Sequence, residues 1–217
     1  MATFKNIDLL IFDFDGTLLD SKEDLAQSIN KVLTMWSLQP LPVDRVWAFL
    51  GDGAQYLVDR CFSYRGVKTP KHATEIFLKD YETNSLKKTK LYPNIEEVLH
   101  GLCGFRKAIL TNKRHDFTMK ICKGLGIETL FDMILGRKDF KKKPDPEGIF
   151  LIMNDLNASK EKTVMIGDTS IDMLAGERAG VKRIAVTWGV HKREDLIKCN
   201  PDALIDDIRQ LKEIISH

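Results

Sequence analysis

Asp13 and Asp15, two carboxylates one residue apart, close the apolar run Leu9-Leu10-Ile11-Phe12. A continuous apolar run bounded by glycine reads as a buried strand of a parallel sheet, and ligands of open α/β sheets bind beyond the carboxyl ends of the strands. Strand alternation sends both acids to one side. At about 4 Å and an effective dielectric near 20 they would repel by roughly 4 kcal/mol. A pair so placed takes up a proton or binds a cation. Taken alone, the same residues also suit a strand ending in a solvated Asp-rich turn.

Two further apolar runs end in polar groups. Residues 107–110 lead into Thr111 and Asn112, a hydroxyl and an amide able to donate to an anion. Residues 163–166 lead into Gly167-Asp168, with Asp172 on the first turn of a helix that follows. A third carboxylate raises the repelling pairs from one to three and favours a hard divalent cation over protonation. Mg²⁺ suits oxygen ligands that bridge to phosphate. Lys143 ends the basic run 141–143 and precedes Pro144, which restricts its backbone, while Pro146 can open the next helix. A lysine fixed there would offset the charge of a nucleophilic carboxylate and a bound phosphoryl group. Asp172 stands between ordering such a site and serving as an ordinary helix N-terminal acid.

The elements that must position these residues follow from periodicity. Between 20 and 86 there are helical patterns only, at 43–50, 56–61 and 76–86 and over Leu25, Ile29, Val32 and Leu33, with Ser21 expected as an N-cap. Residues 91–94 return the chain to a region where helix and strand alternate, as in a parallel, doubly wound sheet. The expected architecture is an α/β Rossmann-like core, 1–18 with 87–217, carrying an inserted helical cap, 19–86.

These segments together resemble the haloacid dehalogenase superfamily of phosphatases. FDFDGTLLDS is similar to its first motif, LTN to its second, the Lys of KKKPDPEG to its third and GDTSIDM to its fourth, in the same order. LGDGAQYLV, LTNK and the tail from TWGV to NPDALIDDIRQL are similar to its phosphoglycolate phosphatase branch. The resemblance implies Asp13 as nucleophile, Asp15 as general acid and base, and Lys143 as the adjacent cation. It also implies Thr111 and Asn112 as phosphate holders, and Mg²⁺ bound by the side chains of Asp13 and Asp168 and the backbone carbonyl of Asp15. Lys113, directly after the Thr-Asn pair, is the first choice for a substrate carboxylate. Gly51-Asp52-Gly53 breaks two helices, as the loop that contacts the leaving group does in the resembling families; a plain helix-helix turn would look the same. Arg60 and Arg114 could also meet a substrate carboxylate, and His115 and His191 are further candidate contacts.

The implied function is Mg²⁺-dependent hydrolysis of a small phosphorylated metabolite. A β-phosphoglucomutase-like transferase shares the core motifs, and a pyrophosphatase, a nucleotidase or a phosphate-binding regulator stay open. Dehalogenation is disfavoured because Asp15 is present. With 33 basic and 31 acidic residues the net charge is +2, which draws the chain to neither nucleic acid nor membrane. Cys61, Cys103, Cys122 and Cys199 have no metal spacing and are expected to be reduced thiols. No secretory pattern opens the chain and no stretch is long enough to span a bilayer, so a cytoplasmic protein without an obligatory protein partner is expected.

Overall fold

The computed structural model describes residues 3–138 and 140–216. The chain divides into two units, Met1–Leu19 with Leu91–His217, and Asp20–Lys90. The first holds a six-stranded sheet whose strands are β1 (Leu9–Phe12), β4 (Arg106–Arg114), β5 (Met133–Arg137), β6 (Thr163–Gly167), β7 (Lys182–Val186) and β8 (Ala203–Ile205). The missing numbers belong to the short strands β2 (Leu19–Asp20) and β3 (Lys90–Leu91), which pair where the chain leaves this unit and re-enters it.

All neighbours in the large sheet are parallel, in the order β5-β4-β1-β6-β7-β8. The chain builds outward from β1 through β4 to β5, then returns to β1's other side to lay down β6, β7 and β8. That reversal of direction opens crevices at the carboxyl ends of β1, β4 and β6. The helices of this unit are α5 (Ile95–Gly101), α6 (His115–Gly124), α7 (Glu147–Asp155), α8 (Ser170–Ala179), α9 (Arg193–Lys198) and α10 (Leu211–Ile214). Leu9, Ile11, Ala108, Leu110 and Met165 form a core with Ile149 and Ile152 of α7 and Ala175 and Ala179 of α8. The alternate residues Leu10, Phe12, Ile109, Val164 and Ile166 are equally buried, and Phe12 meets Phe131 edge to face at 6.2 Å. Strands covered on both faces explain the unbroken apolar runs, and each fully buried Leu or Ile contributes about 1.5–3 kcal/mol.

β4 extends beyond residue 110, the end expected from hydropathy, because pairing with β5 continues through Thr111↔Gly136 and resumes at Arg114↔Arg137. Three steps on β4 are matched by one on β5. The irregularity sends Asn112 and Lys113 to separate partners, the usual effect of a bulge beside a site.

The second unit is helical: α1 (Lys22–Met35), α2 (Val43–Trp47), α3 (Ala54–Tyr64) and α4 (Ala73–Asn84). α1 buries Leu25, Ile29, Val32 and Leu33, and α4 buries Phe77 and Tyr81, whose rings stack at 5.7 Å. Ser21 occupies the N-cap position without a side-chain cap bond. The acid that matters there is Asp24: fully buried, it accepts from Lys88 N at 3.0 Å, Thr89 N at 2.9 Å and Thr89 Oγ1 at 2.8 Å. It ties the returning segment to α1, which is why this unit runs to Lys90 rather than ending at 86. Among the described residues no helix is long and apolar enough to cross a membrane.

Candidate active site

β1 delivers Asp13 into the crevice, and β6 delivers Asp168. The carboxylates of Asp13, Asp168 and Asp172 have oxygens within 4.8 Å of one another, and all three residues are buried. Lys143 stands among them. Its Nζ donates to Asp13 Oδ1 at 2.6 Å, Asp172 Oδ1 at 2.6 Å and the Leu110 carbonyl at 2.8 Å. Three contacts use all the donors an ammonium has.

Asn112 sets the lysine's place. Its side chain accepts from Lys143 N at 2.8 Å and donates to the Lys143 carbonyl at 3.0 Å, so β4 grips the segment before α7 at two points. Asp172 is fixed from its own helix: Oδ2 accepts from Thr169 N at 3.0 Å and Thr169 Oγ1 at 2.6 Å, and the Thr169–Asp172 pair closes a capping box on α8. Its two oxygens thus serve different partners, Oδ2 the cap of α8 and Oδ1 Lys143.

Asp168 is held by residues far away in sequence. Thr17 Oγ1 donates to Oδ1 at 2.8 Å and Val190 N to Oδ2 at 2.7 Å. The segment after β7 is anchored in turn by Trp188, whose indole donates to the Thr17 carbonyl at 3.0 Å, and by His191, whose Nδ1 accepts from Ser170 N at 3.1 Å. Glycines make room for this carboxylate. A Cβ on Gly16, whose φ is +91°, or on Gly189 would lie 2.2 Å from Asp168 Oδ2.

Asp15 stands apart from the three-carboxylate group. It lies past the strand end, beside Gly16, so strand alternation no longer governs it, and both its oxygens face Lys113 Nζ at 3.0 and 2.9 Å. The side-chain crowding expected between Asp13 and Asp15 falls instead among Asp13, Asp168 and Asp172. Thr111 Oγ1 accepts from Lys113 N at 3.2 Å. Outside this unit, Asp52 is ion-paired with Arg60, which also donates to the Phe49 carbonyl at 2.8 Å across the Gly51–Gly53 turn. His115 Nδ1 accepts from Gly136 N at 3.4 Å.

Electrostatics follow the geometry. Burial pushes the Asp13 carboxyl up to about 7, with the Lys143 ammonium pulling against it and Asp172 adding to it. Burial likewise raises Asp168 well above the usual carboxylate range, aided by the charges of Asp13 and Asp172 and opposed by the bonds from Val190 and Thr17. Burial alone would lower Lys143, but Asp13 and Asp172 outweigh it and raise it. The cluster holds three carboxylates and one ammonium, which bonds two of them, leaving a formal excess of two negative charges in an all-oxygen donor set. A hard divalent cation matches that excess, and the carboxylates of Asp13, Asp168 and Asp172 are the side chains that could hold it.

The family model of haloacid dehalogenase-like hydrolases matches residues 10–186. The chain belongs to this family. Among its relatives are phosphoglycolate phosphatases of Psychrobacter arcticus, 34% identical over 95% of both chains, and of Colwellia psychrerythraea, 34% identical over 94% of this chain and 95% of that one. A crystal structure of a predicted phosphoglycolate phosphatase from Haemophilus somnus superposes with a TM-score of 0.90 at 27% identity, covering 96% and 98% of the two chains. The family resemblance drawn from the four motifs is thus borne out, and so is the doubly wound parallel core.

In this haloacid dehalogenase-like hydrolase the sequence pointed to Asp13, Lys143 and Asp168, which the fold brings together, and to Asp15 and Lys113, which it pairs. Thr17 stood within the first motif and Gly189 and Val190 within the TWGV stretch, but nothing there showed that all three close around Asp168. The one available signal was the sequence Thr-Trp-Gly-Val-His directly after an apolar run, where a glycine is set between two large residues.

Proposed function

We propose that this protein is a Mg²⁺-dependent phosphatase that hydrolyses a small phosphomonoester, phosphoglycolate foremost, through an aspartyl phosphate on Asp13. The observation that carries the reading is the Lys143 ammonium, held 2.6 Å from Asp13 Oδ1 by contacts on every side. That ammonium orients the Asp13 carboxylate, so that its other oxygen attacks phosphorus in line with the leaving oxygen. The new bond joins Asp13 to phosphorus, and the ester P–O bond breaks. Asp15 donates a proton to the departing alkoxide, then takes one from the water that attacks the phosphorylated Asp13, releasing inorganic phosphate. General acid–base work of this kind is worth about 10²- to 10⁴-fold. Thr111 and Asn112 hold phosphoryl oxygens, and Asp13, Asp168 and the Asp15 carbonyl would hold Mg²⁺. The cation, when bound, neutralises phosphoryl charge that would otherwise repel the carboxylates.

The names of the relatives support phosphoglycolate as substrate. The near balance of charge fits a small phosphorylated metabolite in the cytoplasm rather than nucleic acid or a membrane surface. The test is release of inorganic phosphate from phosphoglycolate, sugar phosphates, nucleoside monophosphates and pyrophosphate side by side, with Mg²⁺ and with chelator. Phosphoglycolate should lead, and chelator should abolish the signal. Isomerised sugar phosphate as the main product would replace this reading with the mutase one.

A further inference from the structure

Two ammonium groups serve the crevice, and they are held in different ways. Lys143 is committed: its three donors go to two carboxylates and a carbonyl. Lys113 faces both oxygens of Asp15, each side chain only 8% exposed. Lys113 occupies a lone pair on each Asp15 oxygen, and turning that carboxyl to a leaving oxygen loosens at least one of the two contacts. A buried ammonium separated from its carboxylate is costly unless another anion replaces it.

We propose that Lys113 exchanges partners: it holds Asp15 until a substrate arrives with an anionic group on its leaving side, then passes to that group and releases Asp15 to the leaving oxygen. The inference rests on the phosphatase reading, since it requires Asp15 to serve the leaving group. It goes further in making the carboxylate of the substrate part of what frees Asp15. Lys113 then selects phosphate esters whose alcohol bears a carboxylate close to the ester oxygen, such as glycolate, over esters of neutral alcohols.

The position of Lys113 on β4 supports this. The break in register between Thr111 and Arg114 turns Asn112 toward Lys143 and Lys113 toward Asp15. The Lys113 amide is pinned by Thr111 Oγ1, so its Nζ can change partner while its backbone stays in place. A flexible four-carbon stem permits the swing, and its point charge suits either carboxylate.

The experiment compares phosphoglycolate with monoethyl phosphate, in which a methyl replaces the carboxylate, in the native protein, Lys113→Met and Lys113→Arg. Native protein should prefer phosphoglycolate. Lys113→Met should lose at least 100-fold in kcat/KM on phosphoglycolate, chiefly through KM, and less than 10-fold on monoethyl phosphate, while Lys113→Arg keeps most of the preference. Inhibition by free glycolate should weaken in Lys113→Met by a similar factor. Equal losses on the two esters would overturn the proposal and leave Lys113 as a support for Asp15 alone. If native protein ignores phosphoglycolate yet prefers another carboxylated ester, such as a phosphoglycerate, over glycerol phosphate, and Lys113→Met erases that preference, the substrate assignment fails and the exchange stands. No preference for any carboxylated ester in the native protein would also overturn it. Melting curves identify a variant that fails to fold, and Lys113→Gln then takes its place under the same criteria.

Discussion

At Asp168 the two carboxylate oxygens are bound by Thr17 Oγ1 and Val190 N, and the surrounding shell should set how well the cation is held. Thr17→Val, which keeps the shape and removes the donor, should weaken Mg²⁺ binding about 10-fold while secondary structure stays native. Titration calorimetry with Mg²⁺ reads this directly, and an unchanged affinity would detach Thr17 from the metal. Asp168→Ala removes a proposed ligand and should cost most of the activity at any Mg²⁺ concentration. The acidic members of this group were legible because carboxylates rarely end buried strands without a task. Thr17 and Val190 were not. One acts through a hydroxyl common in turns and the other through a backbone N–H, and they reach Asp168 from 151 residues before it and 22 after it.

Among the elements, the loop after β7 and the clasp on α1 carry the clearest consequences. Gly189→Ala would place a methyl 2.2 Å from Asp168 Oδ2, and either the loop or the carboxylate must move. Activity should fall at least 10-fold with little change in melting temperature, because the strain lies at the crevice rather than in the core. Asp24→Ala should behave in the opposite way. It leaves Lys88 N, Thr89 N and Thr89 Oγ1 without their buried acceptor, at a cost of about 1–3 kcal/mol for an unsatisfied group. Denaturant unfolding should show that loss, and a stability within about 0.5 kcal/mol of native would mean water replaces the carboxylate. The long strands and helices could be read from apolar period. β8, α9 and α10 could not, since three to six residues give too little period to register. The extension of β4 to Arg114 was hidden for another reason: its last residues are polar, and only pairing with β5 makes them a strand.

For the whole molecule, acids buried in the crevice link folding to pH and to the cation. The Asp13 carboxyl, raised from 3.8 to about 7, keeps its proton in the folded chain over a range where the unfolded chain has lost it. Folded protein then binds more protons, so this group's contribution to stability falls as pH rises from about 4 to about 7. A cation that needs the deprotonated form competes with those protons and should stabilise more at higher pH. Thermal melts with Mg²⁺ and with chelator should therefore differ more at pH 8 than at pH 6. A difference that is equal, or larger at pH 6, would contradict the assignment of Asp13 as a ligand. The sheet order was foreseeable only as a class. Alternation of helix and strand implies parallel strands with β1 inside, but which side β6 takes depends on the return across the sheet, which no local pattern encodes.

Phosphoryl transfer to Asp13 can be read by intact mass after brief mixing with p-nitrophenyl phosphate and acid quench. Its leaving group departs without protonation, so Asp15→Asn should still be phosphorylated but should lack the base for hydrolysis. One added phosphoryl group should accumulate on Asp15→Asn, while Asp13→Asn and the double variant should carry none and turn over nothing. An adduct of the same mass on protein lacking Asp13, or undiminished steady turnover by Asp15→Asn with no adduct, would contradict the aspartyl phosphate route.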